Sequence, residues 1–333
     1  GRPCPPPTAP VPVLTAPARR HSSLAGLAIG LLSALSFASS GSFMKPLMEA
    51  GWSLGATLLL RMGGAALILA PVLIVTIRRR PGFLRKHGLL IVAFGLTGVA
   101  GCQIFYFAAL QRMPVAMALL IQYLAPVLLV GLAWVRTRRA PSRRILAGSV
   151  LAIAGLVLVV DIAGASFDLL GTLLALGAAA CTAAYFLIAE KTGDDIPPLA
   201  LASGGLITGA LLMGVLVGTG FLAFTAPDVD VVLAGVSLPW YVPIAWVIVV
   251  ATAGGYAFGV RAGSMLGSRV ASFVGLTEVL FALLIAWVVI AEVPTVMQAV
   301  GGAMILTGVI LVRSDPGEAA KEEKASVPLV PAP

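Results

Sequence analysis

Charge is what this sequence has least of. Asp, Glu, Lys and Arg make up 11% of its 333 residues, against 59% hydrophobic, whereas soluble domains carry about 25% charged residues. So thin a supply cannot cover a water-facing surface, which excludes an ordinary soluble protein and makes lipid the main solvent. Histidine is down to two separated residues, His21 and His87, and cysteine to three, Cys4, Cys102 and Cys181, without metal-ligand spacing. HExxH, GxSxG and phosphate-loop patterns are missing as well. These absences remove a metal centre, a disulfide framework, a cofactor and an ATP-driven pump from the expected functions. Cys102 and Cys181 fall in apolar runs, where cysteine packs as a small hydrophobe. The net charge of +8 would suit nucleic acid in a soluble protein. In a membrane protein its meaning lies in where the charges sit, and no nucleic-acid partner is expected.

What the sequence does contain is a repeat. Residues 262–313, moved back by 153 positions, fall on 109–160 without a gap. Ala109 meets Ala262, Phe105 just upstream meets Phe258, and Ala133-Trp134 meets Ala286-Trp287. Pro141 meets Pro294, Gly148 meets Gly301 and Gly155 meets Gly308. A repeat governs the reading of the whole fold, and this one is apolar, so it belongs in a membrane.

A spanning helix needs about 20 apolar residues. Ten such runs are present, near 23–43, 53–77, 88–110, 115–135, 144–163, 169–189, 198–220, 241–262, 270–290 and 294–313. The run behind Arg19-Arg20 continues as a full span without a cleavage site, so it reads as the first helix and not as a signal peptide. The expected plan is a Pro-rich disordered tail over 1–20, five helices over 21–163, five more over 169–313, and a disordered tail over 314–333.

Basic residues set the orientation. With a cytoplasmic N-terminus the inside receives Arg19, Arg20, Arg78, Arg79, Arg80, Arg85, Lys86, Arg136, Arg138, Arg139, Arg143, Arg144, Lys191, Arg261, Arg269 and Arg313. The outer loops receive Lys45 and Arg112. Both termini are therefore expected in the cytoplasm of a multi-pass cell-membrane protein. Five crossings per half turn one copy upside down relative to the other. Loop charges agree: basic 136–144 corresponds to 289–297, which holds Glu292 and no Lys or Arg, and basic 78–87 to the neighbourhood of Asp228 and Asp230. The expected fold is all-α and integral to the membrane, with ten transmembrane helices in two inverted five-helix repeats. Carriers built this way hold substrate near the midplane where the repeats meet.

Each half ends in a Trp-bearing helix, a short Pro loop and a Gly-studded last helix. Arg61-Met62-Gly63-Gly64 lies in the second helix and Tyr123-Leu124-Ala125-Pro126-Val127 in the fourth. Leu276-Thr277-Glu278-Val279-Leu280 and Ala291-Glu292-Val293-Pro294 occupy the equivalent places in the second half. Over 20–313 this resembles the EamA repeat of the drug/metabolite transporter superfamily. The resemblance implies a secondary carrier, with export as the direction and cargo among amino acids, nucleobases, sugars or toxic metabolites. The family's mid-helix Glu-Pro box is split here, with Pro126 in the first half and Glu278 in the second. The acid that usually ends the fourth helix is replaced by Arg138-Arg139-Ala140-Pro141, opposite Glu292.

Glu278 is the acid expected deepest in any span, near the middle of 270–290. A charge at that depth costs about 2.5–3.5 kcal/mol on insertion scales, and a proton or a cationic amine would relieve it. Its bland role is a structural acid paired with a neighbouring helix. Two roles are open to Arg61: pairing with Glu278 or a substrate carboxylate, or snorkelling to the outer interface. Pro126 removes the amide that would bond the Gln122 carbonyl, so a kinked fourth helix would present Gln122 to a cavity, or merely pack. Gln103, Tyr106, Tyr123 and Tyr256 could add polar handles to that cavity or find local partners. Gln103 and Tyr256 share one repeat position, which suits an asymmetric substrate. Glycines 255, 259, 263 and 267, with Gly148/Gly155 and Gly301/Gly308, read as close-packing faces.

The leading expectation is a secondary transporter of an amino acid or amine-like metabolite. Export would proceed by alternating access, one five-helix half rocking against the other, with protons as a candidate coupling ion. A passive channel is the alternative. An integral-membrane enzyme acting on lipid would need a nucleophile, base or metal-ligand cluster at one face, and none is visible. The partners expected are a small-molecule substrate and membrane lipids.

Overall fold

The computed structural model describes residues 20–138, 140–160, 168–190, 196–266 and 274–314. The expected tails at 1–19 and 315–333, Arg139, Asp161, Lys191, Gly267, Arg269 and the start of the ninth span at 270–273 lie outside these residues.

In lipid a backbone amide has no water to bond, so an apolar segment must satisfy its own amides by coiling. The described chain is accordingly helical almost throughout. It runs α1 (Arg20–Glu49), α2 (Leu54–Arg79), α3 (Phe83–Phe94), a π-helical segment π1 (Gly95–Gly101), α4 (Cys102–Leu110), α5 (Val115–Gln122), α6 (Ala125–Thr137) and α7 (Arg143–Val160). It continues with α8 (Leu169–Glu190), α9 (Pro198–Gly218), α10 (Tyr241–Trp246), a second π-helical segment π2 (Val247–Gly254), α11 (Gly255–Leu266), α12 (Thr277–Ile290) and α13 (Val296–Arg313). Among the described residues six rods are long and apolar enough to cross a membrane: Leu24–Glu49, Leu54–Arg79, Phe83–Leu110, Val115–Arg136, Pro198–Gly218 and Tyr241–Gly259. Leu169–Ala184, Thr277–Ile290 and Val296–Leu311 are apolar but shorter.

Between α9 and α10, where the sequence suggests only a loop, stands an antiparallel hairpin, β1 (Asp230–Leu233) and β2 (Val236–Pro239). Four-residue strands are too short to register as alternation in so apolar a chain. The hairpin turns through Ala234 and Gly235, both at positive φ. The Ala234 amide donates to the Val289 carbonyl at 2.8 Å, tying the hairpin to the end of α12.

The two halves do not pack as separate bodies. Helix α1 lies on π2, α11 and α12 of the second half, and its repeat counterpart α8 lies on π1, α4, α5 and α6 of the first. Helices α2 and α9 pair with each other, as do α7 and α13. The first helices are therefore exchanged about a pseudo-twofold axis. The result is two helix groups, each mixing elements of both halves.

Those faces are specific. A Cβ on Gly155 would fall 2.5 Å from the Gly301 carbonyl oxygen, and one on Gly308 would strike the Gly148 carbonyl. The equivalent helices α7 and α13 thus run antiparallel, backbone against backbone. On α11, Gly255 receives the Phe37 ring of α1, while Ser33 sits against Gly259 and donates to the Gly255 carbonyl at 2.8 Å.

Connections gather at the hairpin end. The Ser53 hydroxyl donates to the Ala223 carbonyl at 2.7 Å and accepts the Thr225 amide at 2.9 Å, while the Trp52 indole donates to the Pro227 carbonyl at 3.0 Å. Arg112 pairs with Asp168, whose carboxyl also accepts the Gly171 amide at the start of α8. These bonds hold the Asp168 carboxyl below the usual carboxylate range.

Substituting Gly155 or Gly308 with Leu should lower the unfolding temperature in detergent, since overpacking costs about 1–3 kcal/mol. Gly63→Ala, with no atom within 4 Å of the new carbon, should leave that temperature unchanged or higher. Equal tolerance at all three sites would refute the backbone-to-backbone contact.

Candidate functional site

One rod passes from α3 through π1 to α4, and another from α10 through π2 to α11. Gly101 ends π1 and Gly254 ends π2, one repeat length of 153 residues apart. A Cβ on Gly101 would lie 3.0 Å from the Leu96 carbonyl oxygen, and one on Gly254 3.2 Å from that of Val249. Each carbonyl is five residues back, the spacing of a π turn, so glycine is what lets the wide turn close. Such turns concentrate at functional sites. Cys102, Gln103 and Tyr106 follow π1 directly, Thr252 lies within π2, and Tyr256 follows it.

Two further segments are interrupted at matching places of the repeat. Helix α5 ends at Gln122 and α6 begins at Ala125, leaving Tyr123 and Leu124 between them; α12 begins at Thr277, just after Leu276. Two expectations change. Pro126 lies in the first turn of α6, where a missing amide costs nothing, so it starts a helix instead of kinking one. Glu278 lies in the first turn of α12 and not in mid-helix. There the partial positive charge of a helix N-terminus favours a carboxylate. The Tyr123 hydroxyl stitches the two interruptions together, 2.9 Å from Glu278 Oε2 and 3.0 Å from the Gly275 carbonyl.

Arg61 does not snorkel. It is 6% exposed, its Nε donates to Thr252 Oγ1 at 3.0 Å, and its Cζ lies 5.0 Å from the centroid of the Phe107 ring. The π turn explains this, since it swings Thr252 toward α2. Arg61 is within electrostatic range of Tyr256, Tyr106, Cys102 and Glu278. It does not pair directly with Glu278; among the described residues, ion pairs form elsewhere, at Lys45–Glu292 and Arg112–Asp168. A cation–π contact contributes about 0.5–2 kcal/mol and a hydrogen bond to a charged group about 1.5–3. These can hold Arg61 in place without cancelling its charge. Tyr123 does the same for Glu278.

The remaining candidates surround this pair unevenly. Gln103 is 9% exposed and its amide oxygen is buried without a partner. The Tyr106 hydroxyl sits against Gly41 of α1, where a Cβ would come within 2.8 Å of it. Tyr256 meets Phe37 edge-on at 5.1 Å. Gln122 turns toward α8, donating to Thr182 Oγ1 at 3.3 Å and Cys102 Sγ at 3.4 Å, while its own amide oxygen is buried without a partner. Thr252, Thr182 and the polar role of Cys102 escape a reading of the sequence. The pair Gly101/Gly254, read at the repeat offset, was the available signal. Among the described residues no group of His, Cys, Asp and Glu could hold a metal.

Comparison with known proteins places this architecture. The EamA-like transporter family model matches residues 24–161 and again 169–314. The chain belongs to that family, and it is a multi-pass membrane transporter built from two EamA repeats. It is similar to the threonine/homoserine exporters RhtA of Salmonella typhimurium strains SL1344 and LT2, each 27% identical over 133 residues. The match covers 39% of this chain and 43% of each exporter. A solved structure titled only as the crystal structure of a protein shares the fold, with a TM-score of 0.52 at 22% identity, covering 92% of this chain and all of that one.

Tyr123→Phe leaves the Glu278 carboxylate without this donor, which should cost about 1–3 kcal/mol and appear as a lower unfolding temperature. Tyr241→Phe, at a residue 58% exposed, should change stability by less than about 0.5 kcal/mol. Indistinguishable variants would show that the Tyr123–Glu278 bond carries no weight.

Proposed function

We propose that the chain is a secondary carrier that exports a small zwitterion of the amino-acid class by alternating access. The observation that carries this is the pair Arg61 and Glu278. They are opposite charges set at the junctions of the two repeats, each held by neutral partners. A zwitterion completes both at once, its carboxylate on Arg61 and its ammonium on Glu278. The partnerless amide oxygens of Gln103 and Gln122 are acceptors for the ammonium or for a side-chain hydroxyl. Similarity to threonine/homoserine exporters favours the same class and the outward direction. In the empty carrier a proton on Glu278 takes the place of the ammonium, which makes protons the coupling ion.

The two mixed helix groups are the moving bodies in this reading, and the π turns and interrupted helices are where they shear. In this reading the repeats over 21–163 and 169–313 make ten crossings of the cell membrane, with both termini on the cytoplasmic side. Arg78, Arg79, Arg80, Arg85 and Lys86 cluster around the α2–α3 turn, away from the hairpin end, which holds Asp168, Asp228, Asp230 and Glu292. That is the distribution expected of inside and outside faces.

In proteoliposomes, counterflow of labelled threonine or homoserine tests the reading. Arg61→Gln and Glu278→Gln should each raise the half-saturating concentration roughly tenfold to a hundredfold, the equivalent of about 1.5–3 kcal/mol. Glu278→Gln should also abolish exchange driven by a pH gradient. A primary amine lacking the carboxylate should lose its dependence on Arg61. Flux without counterflow would instead identify a passive facilitator.

A further inference from the structure

At the hairpin end one carboxylate grips three segments. Glu292, in the turn between α12 and α13, forms an ion pair with Lys45 of α1. Its second oxygen accepts the Val115 amide at the start of α5, at 2.9 Å. Lys45 Nζ in turn donates to the Met113 carbonyl at 3.3 Å. Both side chains are largely withdrawn from solvent, 13% exposed for Lys45 and 20% for Glu292. Lys45 and Glu292 belong to the mixed group of α1 and α12, while Met113 and Val115 belong to the turn before α5 in the other group. The cluster therefore crosses the seam between the two groups. Helix α5 leads from this cluster to Gln122, next to Tyr123, a rise of about 12 Å at 1.5 Å per residue. One seam thus carries the cluster at its mouth and the Tyr123–Glu278 contact at its depth.

Beside the cluster lies a cavity of about 140 Å³, lined by Glu292 with Met117, Leu120, Leu283 and Gln298. It gives the carboxylate room to swing once Lys45 releases it.

We propose that Lys45, Glu292 and the 113–115 turn form a latch that holds the hairpin end closed and must open once per transport cycle. Lys45 and Glu292 act as positioning residues, setting which end is open without touching cargo. The latch takes its purpose from the carrier reading but not its test. Spin labels at Gln111→Cys and Val293→Cys, both exposed positions in opposite groups, report the gap across the mouth. The full chain is used in lipid nanodiscs, with Cys4, Cys102 and Cys181 changed to Ser. Lys45→Met and Glu292→Gln should each raise the ratio of long to short distances at least tenfold over the parent, and Lys45→Arg should restore the parent distribution. An unchanged distribution in Lys45→Met and Glu292→Gln, with unfolding temperatures showing both folded, would overturn the latch; if Glu292→Gln does not fold, Lys45→Met decides alone. No substrate enters the measurement. A chain that carried nothing would show no counterflow yet could still open in this way, so the two readings fail separately.

Discussion

A backbone amide in hydrocarbon has nowhere to go but its own helix, and the features of interest in this chain are the places where that rule is strained. The α3–α4 and α10–α11 rods loosen into π turns, and the helix breaks between α5 and α6 and just ahead of α12. Each departure is compensated locally: by glycine where the wide turn brings a carbonyl close, by the Tyr123 hydroxyl on the Gly275 carbonyl, by Pro126 in a first turn that lacks amide partners in any case. The compensation is also what assembles a site. A helix start favours the Glu278 carboxylate, and a π turn hands Thr252 to Arg61.

Inverted duplication supplies these departures in matched pairs and then fills them with different side chains. Gln103 answers to Tyr256, Ala125 to Glu278, Thr252 to Val99. Similar backbone breaks thus carry different side chains in the two copies. Exchange of α1 and α8 between the halves couples the copies, because neither half can bury its own first helix. The glycine faces of α7 and α13 bring backbones into contact and form a rigid spine between them.

Charge, scarce as it is, is spent on position. The hairpin end holds Lys45–Glu292 and Arg112–Asp168, both between segments distant in sequence. The interior holds Arg61 and Glu278 apart, within each other's field and without a bond. Each is held by neutral groups instead, Arg61 by Thr252 and Phe107 and Glu278 by Tyr123.

Composition and the 153-residue repeat were enough to establish a membrane protein, its duplicated plan and its family, because hydrophobic length and periodicity are properties of single segments. Arg61, Glu278, Gln103 and Tyr106 stood out for a similar reason: polar groups in apolar runs are conspicuous wherever they point. What the sequence could not decide was which of them meet. Arg61 could as well have snorkelled, and it stays inside because Thr252 and Phe107, 191 and 46 residues away in the chain, happen to lie where its side chain ends. The helix interruption ahead of Glu278, the exchange of first helices and the grip of Glu292 on Lys45 and Val115 are likewise relations between segments. Segments find one another through packing of whole surfaces, and no local pattern of residues encodes that.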